Sequence, residues 1–200
     1  MKHLINPQVD CVFKSLLGAE ENKALLINFL NAVLTPPLDK QIIEVTLLNP
    51  YNKREFINDK STIVDIKAKE QNGHLFQIEI QLQVGPELPA RMAYTWADIY
   101  HNQLGKGDGF YLLQPIVSIW LLGDNLKVIR QSDAFHHCFK LYDPSNQVLL
   151  TDHCQIHTLE LKKWSKGDIK DDIDYWSWLF SQGDHLDIDH LPSFITDNSL

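Results

Sequence analysis

The chain has 200 residues, 44% apolar and 10% aromatic, with 18 Lys+Arg against 26 Asp+Glu and a formal charge of -8. That length and apolar content suit one domain with a real core, or a domain with a small appendage, and exclude a disordered chain. The acid excess excludes a bulk coat of nucleic acid or anionic membrane, which needs a broad surplus of Lys and Arg, but leaves room for an enzyme with a local basic groove or a metal among carboxylates.

In chain order, Asn6-Pro7 predicts a helix start, followed by Val12, Phe13, Leu16 and Leu17 at helical spacing and Gly18 as terminator. A second helix carries Leu25, Leu26, Phe29, Leu30 and Val33 on one stripe and stops at Thr35-Pro36-Pro37. From Ile42 the period changes to that of strands. IIEVTLLN reads as one, and segments at about 62–70 and 74–83 form a hairpin around Asn72-Gly73, read as a two-residue type I' turn. Pro86 and Pro89 open a helix with Met92, Trp96, Ile99 and Tyr100 inward and Gly105 at its end. QPIVSIWLLG is apolar throughout, the pattern of a strand buried on both faces inside a mixed sheet. Further strands are expected at about 126–131, 134–142, 147–151 and 155–161, then a helix over DDIDYWSWLFSQG and an aperiodic tail that either frays or continues into a region beyond this chain.

No run approaches ~20 apolar residues and the N-terminus has no apolar signal-peptide core. The expectation is a soluble, cytoplasmic protein with no membrane partner. Cys11, Cys138 and Cys154 suggest no disulfide framework. His136, His137, Cys138, His153, Cys154 and His157 could hold zinc across two strands, but their spacing matches no ligand template, and they read as ordinary strand residues. The five tryptophans read mainly as packing.

The hairpin carries the polar chemistry. By the period of two, Asp65, Lys67 and Lys69 share one face of its first strand, and Gln77, Glu79, Gln81 and Gln83 one face of its second. A two-residue loop pairs Gln71 with His74. Asp65 then stands opposite Ile80, with Glu79 one step off, so the carboxylates meet only with help from pleat or a bulge. Two carboxylates and a backbone carbonyl would make an oxygen site for Mg²⁺ or Mn²⁺, able to polarise a phosphodiester and acidify a bound water. An amphipathic hairpin with one solvated face explains the same residues without chemistry.

Five ordered blocks carry a resemblance: DCVFKSLLG (10–18), LLINFLNAVL (25–34), DKSTIVDIKA (59–68), NGHLFQIEIQ (72–81) and RMAYTWADIY (91–100). Together they resemble the recombination-promoting nuclease/putative transposase family of the PD-(D/E)XK nuclease superfamily. Weaker likeness continues over 115–122 and 139–163. The resemblance implies an α/β (α+β) fold, a mixed sheet with an αβββαβ nuclease core, an N-terminal helical pair, and C-terminal strands plus a helix. It divides the chain into a nuclease domain over 1–165 and an acidic helix and tail over 166–200.

The resemblance also implies Mg²⁺- or Mn²⁺-dependent endonuclease action on DNA, in recombination or transposition, with no organic cofactor. Asp65, after Val64 instead of Pro, and Glu79 match the superfamily's acidic residues. Gln81 stands in place of its Lys and would position water or phosphate, but it carries no charge. Lys60 or Lys67 would supply the displaced ammonium. Asp10, one turn before Lys14, is a third metal candidate whose other reading is a solvent-facing first-turn carboxylate. Lys14, Arg91 and Tyr94 are the expected DNA contacts. A homodimer would suit double-strand cleavage. The competing reading is a nuclease fold that binds DNA or a partner protein without cutting.

Overall fold

The computed structural model describes residues 4–50, 64–164, 169–181 and 186–187; Lys60, one candidate cation, lies outside them. A short strand β1 (Leu4–Ile5) precedes helices α1 (Asp10–Gly18) and α2 (Lys23–Leu34). Strands β2 (Val45–Leu48), β3 (Ile66–Glu70) and β4 (Leu75–Gln81) follow, then helix α3 (Leu88–His101) and strand β5 (Ile116–Leu122). The chain continues through β6 (His136–Lys140), β7 (Tyr142–Asp143), β8 (Val148–Leu149), β9 (Cys154–Glu160), α4 (Asp172–Ser181) and β10 (Leu186–Asp187).

Six strands form one mixed sheet in the order β2-β3-β4-β5-β9-β6. The β4–β5 and β5–β9 pairs are parallel and the others antiparallel. Every residue of β5 is buried, as its unbroken apolar run requires of a strand covered on both faces. Helices α1, α2 and α4 cover one face, where Phe13, Phe29, Trp176 and Phe180 meet Phe76, Ile78 and Ile119 in one core. Edge-on ring contacts lock that layer, Phe13 to Phe180 at 5.6 Å and Phe29 to Trp176 at 5.3 Å. Leu88 and Met92 of α3 pack on Trp120 and Leu122 of the other face. At ~1.5–3 kcal/mol for each large apolar side chain withdrawn from water, these two layers are the main force holding the sheet. The result is the mixed α+β architecture with an αβββαβ core expected from the sequence.

Local chemistry moves some boundaries. Helix α1 starts at Asp10 rather than Pro7, because Asn6 turns its side chain back to accept the Gln8 N–H (2.9 Å) and the Val9 carbonyl takes the first helical N–H groups. Helix α2 ends with Thr35 in the left-handed conformation, its N–H on the Asn31 carbonyl at 2.8 Å. Residues 127–129 form a 3₁₀ turn, not a strand. Side chains take the backbone partners there. The buried Glu160 carboxylate accepts the Leu126 N–H (2.6 Å) and pairs with Lys163 (2.7 Å), which also donates to the Ile129 carbonyl (3.0 Å). Trp120, Trp164 and Trp176 are packing residues as expected.

Candidate active site at the carboxylate hairpin

The β3–β4 turn creates the site. Gly73 lies at φ 97 while Asn72 keeps negative φ, and the Gly73 N–H bonds to the Glu70 carbonyl at 3.0 Å. The connection is therefore a three-residue turn with glycine in its last position, not the two-residue type I' turn that Asn-Gly predicts. The buried carboxylate of Glu70 stabilises this form by accepting the N–H groups of Asn72 (2.9 Å) and His74 (3.0 Å). The register shifts by one residue, to Ile66↔Ile78 and Lys67↔Gln77. Because facing residues of an antiparallel pair share a face, that shift sets Asp65 opposite Glu79.

The two carboxylates interlock across the strands. Glu79 accepts the Asp65 N–H at 3.3 Å, and Asp65 accepts the Ile80 N–H at 3.1 Å. Glu79 is only 3% exposed. Burial first, and the Asp65 charge second, push its carboxyl up to about 8, against the weaker opposing pull of Arg91. Lys14 of α1 bridges Asp65 (3.2 Å) and Asp10 (2.8 Å). Those carboxylates, with the Asp10 hydrogen bond foremost, hold its ammonium above the ordinary lysine range against partial burial. Asp10 thus comes to the site through Lys14, and Lys14 reaches Asp65 itself, a contact that helical spacing could not show.

Arg91, in the first turn of α3, reaches back over the end of β4. Its Nη1 donates to Gln81 Oε1 at 3.0 Å, its Nη2 lies 3.7 Å from Glu79, and its guanidinium sits 5.5 Å from the Trp120 ring centroid. Gln81 also donates to the Gln83 carbonyl at 2.8 Å, so both ends of its amide are engaged. Trp120 is fixed in turn by its indole N–H on Ser118 (2.8 Å), whose hydroxyl donates to Gln77 (3.0 Å). Ser118 carried no role in the sequence, and Gln77 figured there only as a member of the polar hairpin face. Their signal is a polar residue inside an otherwise apolar buried strand, which must find a hydrogen-bond partner. Gly123 closes the end of this layer, donating to the Gln81 carbonyl at 3.0 Å where a Cβ would fall 2.9 Å from the Leu82 Cα.

Lys67 points along the same face but is drawn to Asp98 of α3, and burial lowers its pKa. Tyr94 is exposed on α3, one turn after Arg91. Three of the histidine and cysteine side chains, His136, Cys138 and His157, meet in pairwise contacts and not as a ligand set. His157 turns Nδ1 to His136 (2.9 Å) and Nε2 to Cys138 (3.4 Å), and burial drives its pKa down to about 3. Among the described residues no three His, Cys, Asp or Glu side chains are grouped to hold a metal ion. The carboxylate site therefore rests on the Asp65–Glu79 pair.

Residues 7–191 match the sequence model of the PD-(D/E)XK nuclease family transposases, and the chain belongs to that family. No curated protein and no solved structure is significantly similar to it. Among the described residues no helix is long and apolar enough to cross a membrane.

Proposed function

We propose that this member of the PD-(D/E)XK nuclease family is a divalent-cation-dependent endodeoxyribonuclease acting in recombination or transposition. The observation that carries the reading is the buried pairing of Asp65 with Glu79, whose carboxyl burial and Asp65 push up to about 8. Two negative groups forced together out of water form an electrostatic deficit that a hard cation relieves. An all-oxygen pair fits Mg²⁺ or Mn²⁺, hard cations that take water and phosphate oxygens as their remaining ligands. A cation held by Asp65 and Glu79 would polarise the phosphodiester and acidify a bound water.

The remaining roles belong to the chain's own side chains. Hydrolysis adds water across one P–O bond, leaving a phosphate monoester and a hydroxyl. Arg91, half exposed and anchored by Gln81 and Trp120, keeps N–H groups free for a phosphodiester oxygen. Gln81, with both amide ends engaged, holds that guanidinium in place; the cation absent from β4 enters from α3 instead. Lys14 neutralises Asp65 in the metal-free chain and, displaced from it by a cation, would reach the DNA backbone while still paired to Asp10. Asp10 serves as a positioning carboxylate for it.

Purified protein with Mg²⁺ nicks supercoiled plasmid on this reading, and Asp65→Asn or Glu79→Gln abolishes nicking. Unchanged nicking by both variants would sink it. The neutral Gln81 is the observation favouring the second reading, a module that binds DNA without cutting; absence of both cleavage and calorimetric Mg²⁺ or Mn²⁺ binding would select it.

A further inference from the structure

Near the C-terminal end of α3, away from Arg91, a cavity of about 510 Å³ opens between the last turns of the helix and the loop over residues 103–114. Trp96, Tyr100, Leu104, Phe110 and Leu113 form its apolar walls, and Lys106 and His101 stand among them. The walls are built rather than adventitious. Trp96 stacks on Tyr100 with centroids 5.0 Å apart, and the Tyr100 hydroxyl is fixed at 2.8 Å from His153 Nδ1. Gln103 clamps both ends of the loop through the Gln114 carbonyl (3.0 Å) and N–H (2.8 Å). The Asp108 carboxylate closes the inner turn on the Gly105 N–H at 2.7 Å.

This hydrogen-bonded loop holds Phe110, a cavity-lining residue, 83% exposed. An aromatic ring presented to water at the rim of a cavity has no role in the core and suits a planar partner. The cavity volume is that of a small ring system, not of a docked helix. Charge narrows the partner further. Lys106 is exposed and has no ion-pair partner among the described residues, and the nearby Asp108 is occupied by the loop's own N–H. The indole N–H of Trp96 is buried in the wall without a hydrogen-bond partner. A flat ring with hydrogen-bond acceptors and an attached anion, which is a nucleotide, satisfies each feature.

We propose that this cavity binds one unstacked nucleobase of the DNA substrate, with the base against Phe110 and its phosphate on Lys106. The proposal rests on the nuclease reading and adds a second contact to it. Arg91 and Tyr100 are nine residues apart, ~14 Å along the helix, about four base steps. The site therefore engages DNA away from the scissile phosphate and favours distorted or single-stranded flanks, whose bases are free to leave the stack.

The test is titration of the non-cleaving Glu79→Gln chain with a single-stranded oligonucleotide carrying 2-aminopurine, read by anisotropy and by 2-aminopurine fluorescence. Phe110→Ala and Lys106→Ala, both at exposed positions, are compared in that background. The expected result is quenching on binding, lost in Phe110→Ala, with affinity reduced ~5- to 100-fold, as for removal of one base–aromatic stack. DNA binding and quenching that survive Phe110→Ala unchanged, while Arg91→Ala weakens binding, would overturn the cavity and leave the nuclease reading standing. Phe110-dependent binding of free dAMP without oligonucleotide binding would overturn the assignment to DNA. Absence of binding to both probes would overturn the cavity as a nucleotide site, while plasmid nicking by the wild type reports on the nuclease reading separately.

Discussion

Replacing Glu79 by Gln removes a charge while preserving shape, and isolates the electrostatic cost of the site. The carboxyl has an ordinary value of 4.5 and is pushed up to about 8 in the folded chain. Between those values the folded chain holds a proton that the unfolded chain has released, so this group's contribution to stability is greatest below pH 4.5, falls as pH rises, and levels off above about 8. At ~1.4 kcal/mol per pH unit the gap is worth up to ~5 kcal/mol. For a chain of this length that is a fall in Tm of ~10–20 °C from this group alone. Melting curves at pH 5 to 9 in metal-free buffer measure it. The difference between wild type and Glu79→Gln should widen steadily with pH, the variant gaining, and Mg²⁺ added at pH 8 should stabilise the wild type but not the variant. Parallel pH curves for the two proteins would refute the argument that Glu79 is a carboxylate held out of water beside a second negative charge.

Arg91→Ala removes the guanidinium that favours ionised Glu79, so the pH–rate profile of plasmid nicking should move to higher pH and the rate near neutrality should drop ~10-fold or more; an unmoved profile would refute the contact's importance. Gly73→Ala forces a Cβ into φ 97 and to 3.0 Å from Gln114 Oε1, which should cost ~1–3 kcal/mol in urea unfolding and weaken nicking through the slipped register. Lys163→Met leaves the buried Glu160 carboxylate without its cation and should cost ~3–5 kcal/mol, mostly recovered by adding Glu160→Gln; an additive double variant would contradict a coupled pair.

The strand and helix pattern was legible because periodicity reports burial directly. The run Ile116 to Leu122 announces a strand covered on both faces, and the stripe Leu25, Leu26, Phe29, Leu30, Val33 announces the helix that covers one of them. The blocks around Asp65 and Glu79 pointed to the two carboxylates. Their facing arrangement was not legible, because it depends on a single residue in a turn. Asn72-Gly73 favours a two-residue loop locally, but Glu70 supplies acceptors that stabilise the longer turn, and the register moves with it. Side-chain partners across the sheet were hidden for a similar reason. Lys14 on Asp65 and Arg91 on Gln81 join residues far apart in sequence, which no local spacing encodes.

The central claim is that Asp65 and Glu79 together hold a divalent cation. Crystals soaked in Mn²⁺ at pH 9, above the value of about 8 to which Glu79 is pushed, should show one anomalous peak ligated by both carboxylates, with Lys14 drawn away from Asp65. An empty site, with the Lys14 ammonium still on Asp65 and Glu79 still hydrogen-bonded to the Asp65 N–H, would contradict it.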